Sequence, residues 1–99
     1  MSGEQAQVAP DTLKRSLTIA NKRGLHARAA AKFVRTAGQF DAAIRVSFKG
    51  QDVSGLSIMG LMMLAAGIGS SIVLTCSGRQ ALEAMAALSA LVEGKFGED

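Results

Sequence analysis

The sequence predicts a two-layer α+β domain in which one sheet packs against three helices that lie on one side of it. Its 99 residues are the length of a single domain. Hydrophobic residues make up 48% and charged residues 19%, which is too apolar for a disordered chain. The hydrophobic period also switches repeatedly between that of strands and that of helices, in the order β-α-β-β-α-β-α. We expect residues 1–11 to form a flexible tail and residues 12–99 the single domain.

The first half of the chain contains a strand, a loop and a helix. LKRSLTIAN alternates like a half-buried strand, and NKRGLHAR follows as a loop in which Gly24 can adopt a backbone shape that other residues avoid. The period of a helix begins at Ala27, and Gly38 is a plausible end. The predicted core face of this helix comprises Ala27, Ala30, Ala31, Val34 and Ala37.

The second half contains three strands and two helices. AIRVSFKG alternates, and Lys49-Gly50 predicts a tight hairpin into a short strand over residues 51–54. A helix is predicted from Ser57, a residue type that commonly caps helices, through Ala66. A strand is predicted over residues 71–77, and a last helix between Gly78 and Gly94. That helix has Leu82, Met85, Leu88 or Ser89, and Val92 at core spacing. We expect the methionines to fill the core, with an exposed docking patch as the alternative: Met59, Met62, Met63 and Met85.

Several classes of protein are excluded by the residue counts. One cysteine, Cys76, cannot form a disulfide framework, and with a single histidine the chain cannot build a multi-imidazole metal site, so no metal and no cofactor are expected. Cys76 is expected to face the core. The N-terminus does not resemble a secretory signal, and Gly and Ser punctuate the 26 uncharged residues between Asp52 and Arg79. We therefore expect a cytoplasmic protein without membrane insertion.

The charge of the chain is uneven. Residues 1–50 hold nine Lys or Arg against three Asp or Glu, whereas residues 51–99 hold two against five. Seven basic residues and no acidic ones lie between Lys14 and Arg35. Such a basic end attracts phosphate, nucleic acid or an acidic protein surface, and composition does not choose among these partners.

The chemistry of the sequence centres on Gly24-Leu25-His26-Ala27-Arg28. His26 stands where the loop becomes a helix, and the first amides of a helix, together with its dipole, attract anions. Arg28 adds a fixed positive charge. A phosphoryl group on His26 would meet donors already directed at it, whereas a lone histidine that only caps the helix is the alternative.

Two segments of the sequence resemble the signatures of HPr, the histidine-containing phosphocarrier family of the bacterial phosphotransferase system. NKRGLHARAAAKFV is similar to its active-site segment and SIMGLMMLAAG to the segment around its regulatory serine; the resemblance covers roughly residues 12–94. It implies an open-faced sandwich with a four-stranded antiparallel sheet. The Asn-Lys-x-Gly opening and the ending GKFGED look more like the nitrogen-related branch than the sugar-transport branch.

The resemblance assigns roles to individual residues. His26 matches the histidine phosphorylated at Nδ1, Arg28 matches the arginine that steadies the phosphoryl group, and Ser57 matches the serine modified by HPr kinase/phosphorylase in many members. Gly24 and the amide of Ala27 would support the phosphate. Ala29 departs from the family, which usually has proline there, so we expect a slightly looser helix start with function retained.

The resemblance also implies the partners. Enzyme I, charged from phosphoenolpyruvate, would donate to His26, and an EIIA-type protein would accept, so the chain would be a carrier rather than an autonomous enzyme. Nothing in the sequence argues for an oligomer, so we expect a monomer. The expected docking residues are Leu25, Lys32, Arg35, Ile58 and Leu61. Two alternatives stay open, a small basic nucleic-acid-binding domain and a regulatory protein acting through Ser57 alone. Against the first, the chain has no Tyr or Trp and only four Phe on which bases could stack.

Overall fold

The computed structural model describes residues 12–98 as a four-stranded antiparallel sheet covered by three helices. The strands are β1 (Leu13–Thr18), β2 (Ala43–Phe48), β3 (Gln51–Ser54) and β4 (Ser71–Ser77). The helices are α1 (Ala27–Ala37), α2 (Ile58–Met63) and α3 (Ala81–Glu93), followed by a 3₁₀ turn at Lys95–Gly97. The predicted fold class and element order are confirmed. The predicted tail, residues 1–11, lies outside the described residues.

The sheet has the strand order β1-β4-β2-β3, so β1 and β3 form its edges. Leu17 of β1 is opposite Ile72 of β4, and Val46 of β2 is opposite Leu74. These side chains are all buried, whereas their neighbours along each strand are at least partly exposed, as alternation in a one-sided sheet requires. Lys49 and Gly50 both have positive φ, which is the backbone of the predicted hairpin turn.

The core lies between the sheet and the helices. Cys76 faces it from β4 as expected, and burial raises the pKa of its thiol. The described helices include none with the length and apolarity needed to cross a bilayer.

The predicted rotations of α1 and α3 are partly wrong. Helix α1 buries Ala29 and Phe33 and leaves Ala27 exposed, while α3 buries Ala84 and leaves Leu82 71% exposed. Helix α3 is apolar over most of its circumference, so periodicity does not fix which side meets the sheet. Helix α1 is amphipathic, and its buried residues share only Ala30 and Ala37 with the predicted face. Helix α1 packs against both α2 and α3.

Candidate functional site

His26 is the N-cap residue of α1. Its backbone is extended and its carbonyl accepts a hydrogen bond from the amide of Ala30 at 2.9 Å, but its side chain does not cap the helix. The amides of Ala27, Arg28 and Ala29 find no acceptor within residues 12–98. The start of α1 is therefore a set of unused donors at the positive end of the helix dipole.

The loop before His26 is held tightly by its glycine. Gly24 has a φ of +65°, and a Cβ atom built on it would lie 2.5 Å from the carbonyl oxygen of Ala66. The same carbonyl accepts from the amide of Leu25 at 3.0 Å, and Asn21 donates from Nδ2 to the Gly24 carbonyl at 2.8 Å. The unusual backbone predicted for Gly24 is confirmed, and it fixes the loop against the segment that follows α2.

Glu98, the last residue that the structure describes, contacts the side chain of His26. Its Oε2 lies 2.5 Å from His26 Nε2, and its Oε1 accepts from Asn21 Nδ2 at 3.0 Å. The two side chains are mostly covered, with 14% of His26 and 18% of Glu98 exposed. His26 is thus held at one ring nitrogen by a residue 72 positions away in the sequence.

The electrostatics of the His26–Glu98 pair favour one tautomer of the imidazole ring. The hydrogen bond from Asn21 lowers the pKa of Glu98 below its usual 4.5, and the hydrogen bond and charge of His26 and the charge of Lys32 lower it further, against the opposite effect of burial. An ionised carboxylate only accepts hydrogen bonds, so Nε2 carries the proton. In the neutral ring the free lone pair is then on Nδ1.

A shallow basic pocket of about 390 Å³ lies beside the histidine. Lys22 and Arg23 enter it from the loop, and Arg28 and Lys32 from successive turns of α1. Glu98 completes the wall and connects the pocket to the ring. Arg28 is therefore part of a basic cluster suited to an anionic group.

The predicted docking residues fall into two groups. Leu25 and Leu61 are 5% and 0% exposed, so they belong to the core and their assignment to a docking surface is wrong. Ile58 is 40% exposed and Arg35 is also exposed. Lys32 is half-buried, and its Nζ donates to the carbonyl of Phe96 at 2.7 Å, so it is engaged within the domain.

The first turns of α2 carry an exposed apolar surface. We name it the methionine patch, and it consists of Leu56, Ile58, Met59, Met62 and Met63. Met59 and Met63 are 68% and 71% exposed, so the expectation that they fill the core is wrong, whereas Met85 of α3 is buried as expected. A six-residue helix packed on one side cannot bury an apolar residue at every position, and α2 buries only Leu61.

Ser57 is the N-cap residue of α2, as predicted. Its Oγ accepts a hydrogen bond from the amide of Gly60 at 2.9 Å, and the side chain is half-buried next to the methionine patch. The helix ends earlier than the predicted Ala66, since Ala65 has a φ of 55°. The capping role of Ser57 is confirmed, and it is compatible with the chemistry of a modified serine.

Two residues of the site, Asn21 and Glu98, were not predicted from the sequence. A signal was present, because the Asn-Lys-x-Gly opening and the GKFGED ending both resemble the nitrogen-related branch. The structure shows that these two segments meet at the histidine through the Asn21–Glu98 hydrogen bond. Their spatial proximity does not follow from a sequence separation of 77 residues.

Comparisons with known proteins agree with this geometry. The family model described as the PTS HPr component phosphorylation site matches residues 13–94. The phosphocarrier protein HPr of Cupriavidus necator is 52% identical over 86 residues, covering 87% of this chain and 97% of that protein. The phosphocarrier protein NPr of Shewanella violacea is 45% identical over 86 residues, covering 87% and 94%. The crystal structure of HPr-C-His from Thermoanaerobacter tengcongensis has a TM-score of 0.84 at 42% identity, covering 88% of this chain and 98% of that one.

Proposed function

This chain belongs to the HPr family of phosphocarriers of the phosphotransferase system, and from that premise we propose that His26 carries the phosphoryl group between two cytoplasmic partners. Enzyme I, charged from phosphoenolpyruvate, is the donor, and a histidine of an EIIA-type protein is the acceptor. The observation that carries the proposal is the ring of His26 at the start of α1, with Glu98 at its Nε2.

The transfer step uses the free lone pair of the imidazole. Nδ1 attacks phosphorus, the new N–P bond forms, and the bond from phosphorus to the donor breaks, leaving its electron pair on the donor. The proton stays on Nε2, so the phosphorylated ring is an imidazolium, and the carboxylate of Glu98 at 2.5 Å balances its charge. Transfer to the acceptor is the same step in reverse at a second histidine, and it returns His26 to its neutral form.

The phosphoryl oxygens need positive partners throughout the transfer. Arg28 and the unused amides of Ala27 and Arg28 supply them from the start of α1, and the loop shaped by Gly24 sets where that helix begins. The backbone amides are fixed before the reaction, so they stabilise the charge without reorganising. The guanidinium of Arg28 adds a permanent positive charge at the same end of the helix, which supports it as the residue that steadies the phosphoryl group.

The partners dock on the methionine patch and on the exposed cations of α1. Large, flexible and exposed thioether side chains adapt to different surfaces, which suits a carrier that must bind a donor and then an acceptor. Arg28 and Arg35 are exposed on α1, the helix that packs against α2, so we expect acidic residues on both partners. We expect the carrier to act as a monomer.

Ser57 would regulate that docking when HPr kinase/phosphorylase modifies it. A phosphate on Ser57 adds about two negative charges beside an apolar surface that a partner must desolvate. The start of α2 tolerates the phosphate locally, because the helix dipole favours an anion there. The consequence is slower charging of His26 rather than loss of the fold.

A mass measurement tests the carrier proposal. After incubation with phosphoenolpyruvate and enzyme I, we expect one added phosphate that is lost in acid, because a P–N bond is acid-labile, and that is missing in His26→Ala. Ser57→Ala is the matched control and should still take up the group. An acid-stable adduct that persists in His26→Ala would contradict the proposal and favour a protein that works through Ser57.

A further inference from the structure

The chain reverses direction after α3 and returns to the start of α1. We call residues Gly94–Glu98 the C-terminal segment. Lys95, Phe96 and Gly97 all have positive φ, a run of left-handed residues that turns the chain sharply. The amide of Gly97 donates to Gly94 at 3.0 Å and that of Glu98 to Lys95 at 2.9 Å. Two of the three left-handed residues are not glycine, so contacts elsewhere must hold this conformation.

Two contacts hold the C-terminal segment on the domain. The ring of Phe96 is completely buried in the core. The carbonyl of the same residue accepts a hydrogen bond from Lys32 Nζ at 2.7 Å. Lys32 is half-buried on α1, one turn after Arg28, so the bond forms between an ammonium group and a carbonyl that are both partly withdrawn from water.

The position of Phe96 determines where Glu98 can reach. Glu98 lies two residues further along, and its two oxygens contact His26 Nε2 at 2.5 Å and Asn21 Nδ2 at 3.0 Å. A free imidazole distributes its proton over both nitrogens, whereas a fixed acceptor selects one. Lys32 is thus connected to the ring of His26 through Phe96 and Glu98, although it has no hydrogen bond with the ring among the described residues.

We propose that Lys32 is a positioning residue of the phosphoryl site. By binding the Phe96 carbonyl it fixes the C-terminal segment, and through Glu98 it keeps the proton of His26 on Nε2 and the lone pair on Nδ1. The expected effect on phosphoryl transfer rests on the proposed function. The expected effect on the tautomer of His26 does not, because the tautomer can be measured without any partner.

The test uses Lys32→Met in the full chain, which keeps the length of the side chain and removes the ammonium group. ¹⁵N shifts of the neutral ring should move from one tautomer toward a mixture, and the amides of Gly97 and Glu98 should exchange faster. The turnover rate of phosphoryl transfer should fall about threefold to tenfold with KM nearly unchanged, since a 1 Å misplacement can cost about 100-fold. Lys32→Arg should restore most of the rate and the ring shifts.

Arg35→Met is the matched control, because it removes one charge from an exposed position of the same helix. It should raise KM and leave the ring shifts unchanged. Ring shifts in Lys32→Met that equal those of the unchanged protein would overturn the proposal, as would a loss confined to KM, which would make Lys32 a docking residue. If Lys32→Met lost its fold by circular dichroism, Lys32→Ala would decide, because alanine also removes the ammonium group and favours a helix. Ring shifts that move toward a mixture in the folded Lys32→Ala protein would support the proposal, and shifts equal to those of the unchanged protein would overturn it. Failure of His26 to take up phosphate would refute the proposed function while leaving the shift experiment valid.

Discussion

The His26 site and the methionine patch are built in opposite ways. At the site, hydrogen bonds join two distant parts of the chain, because Glu98 contacts both Asn21 and the mostly covered ring of His26. The side chains of the methionine patch are exposed and apolar, and the neighbouring Ser57 caps α2. Chemistry at a histidine needs one fixed geometry, whereas exposed thioether side chains can adapt to different surfaces.

These two regions are nevertheless joined. The Ala66 carbonyl, just after α2, accepts from the amide of Leu25 and lies so close to Gly24 that no larger residue fits. The loop that positions His26 therefore rests on the segment that ends α2. If partners dock on the methionine patch as proposed, these backbone contacts would set the distance between the partner and the ring of His26.

The largest expected difference between the two regions is in stability. Phe96→Ala should lower the free energy of unfolding by about 3–5 kcal/mol, because it empties a fully buried position and releases the C-terminal segment. Met63→Ala should change it by no more than about 0.5 kcal/mol, because that side chain is 71% exposed. Urea denaturation of both variants measures the contrast. Equal losses of unfolding free energy in the two variants would show that the methionine patch is part of the core and that the two regions are not built in opposite ways.

Local patterns predicted the framework of the fold well. The hairpin at Lys49-Gly50, the strand at Ser71–Ser77 and the cap at Ser57 each follow from a few neighbouring residues, and each is present. The position of His26 at the start of α1 follows from the change of period at Ala27. Features that are decided within one turn or one strand can therefore be predicted from this sequence.

Features decided by packing between elements could not be predicted. The patch residues Met59 and Met63 lie in an uninterrupted apolar stretch, which has no period to show that they point outward. In α3, apolar residues occupy most positions, so the burial of Ala84 rather than Leu82 depends on where the sheet and α1 lie. The contact between Glu98 and His26 depends on a left-handed turn at Lys95 and Phe96. Lysine and phenylalanine rarely adopt a positive φ, so the sequence does not predict this turn.

The next largest effect concerns docking. Met63→Glu should raise the KM for phosphorylated enzyme I about tenfold, equivalent to about 1.4 kcal/mol, because the partner must then desolvate a charge. Leu82→Glu is the matched control, since Leu82 of α3 is an equally exposed apolar residue at 71% and is outside the patch. Steady-state phosphorylation of His26 measures both. Similar KM values for the two variants would mean that net charge matters and the patch does not.

A smaller effect is expected at Ser57, where the two regions share one residue. Ser57→Ala removes the hydrogen bond to Gly60 and should cost about 1 kcal/mol of stability without slowing transfer. Ser57→Asp keeps a capping oxygen, so its stability should be nearly unchanged, but its charge beside the patch should slow the charging of His26. Thermal melts and transfer rates on both variants separate the roles. If His26 of Ser57→Asp is charged at the normal rate, the hypothesis that Ser57 regulates docking is wrong.

The smallest expected effect is the pH dependence of the Glu98 contact. Because the folded protein holds the pKa of Glu98 below its usual 4.5, the carboxylate stabilises the fold fully above that value, and this contribution disappears as the pH falls through the lowered pKa. Glu98→Gln cannot ionise, so the stability difference between the two proteins should shrink as the pH falls below about 4.5. Arg45→Met, which breaks the exposed pair with Asp52 on the hairpin, is the control for general acid effects. A difference that instead grew over this acidic range would mean that Glu98 is protonated in the folded state, and the carboxylate could then not hold the Nε2 proton of His26.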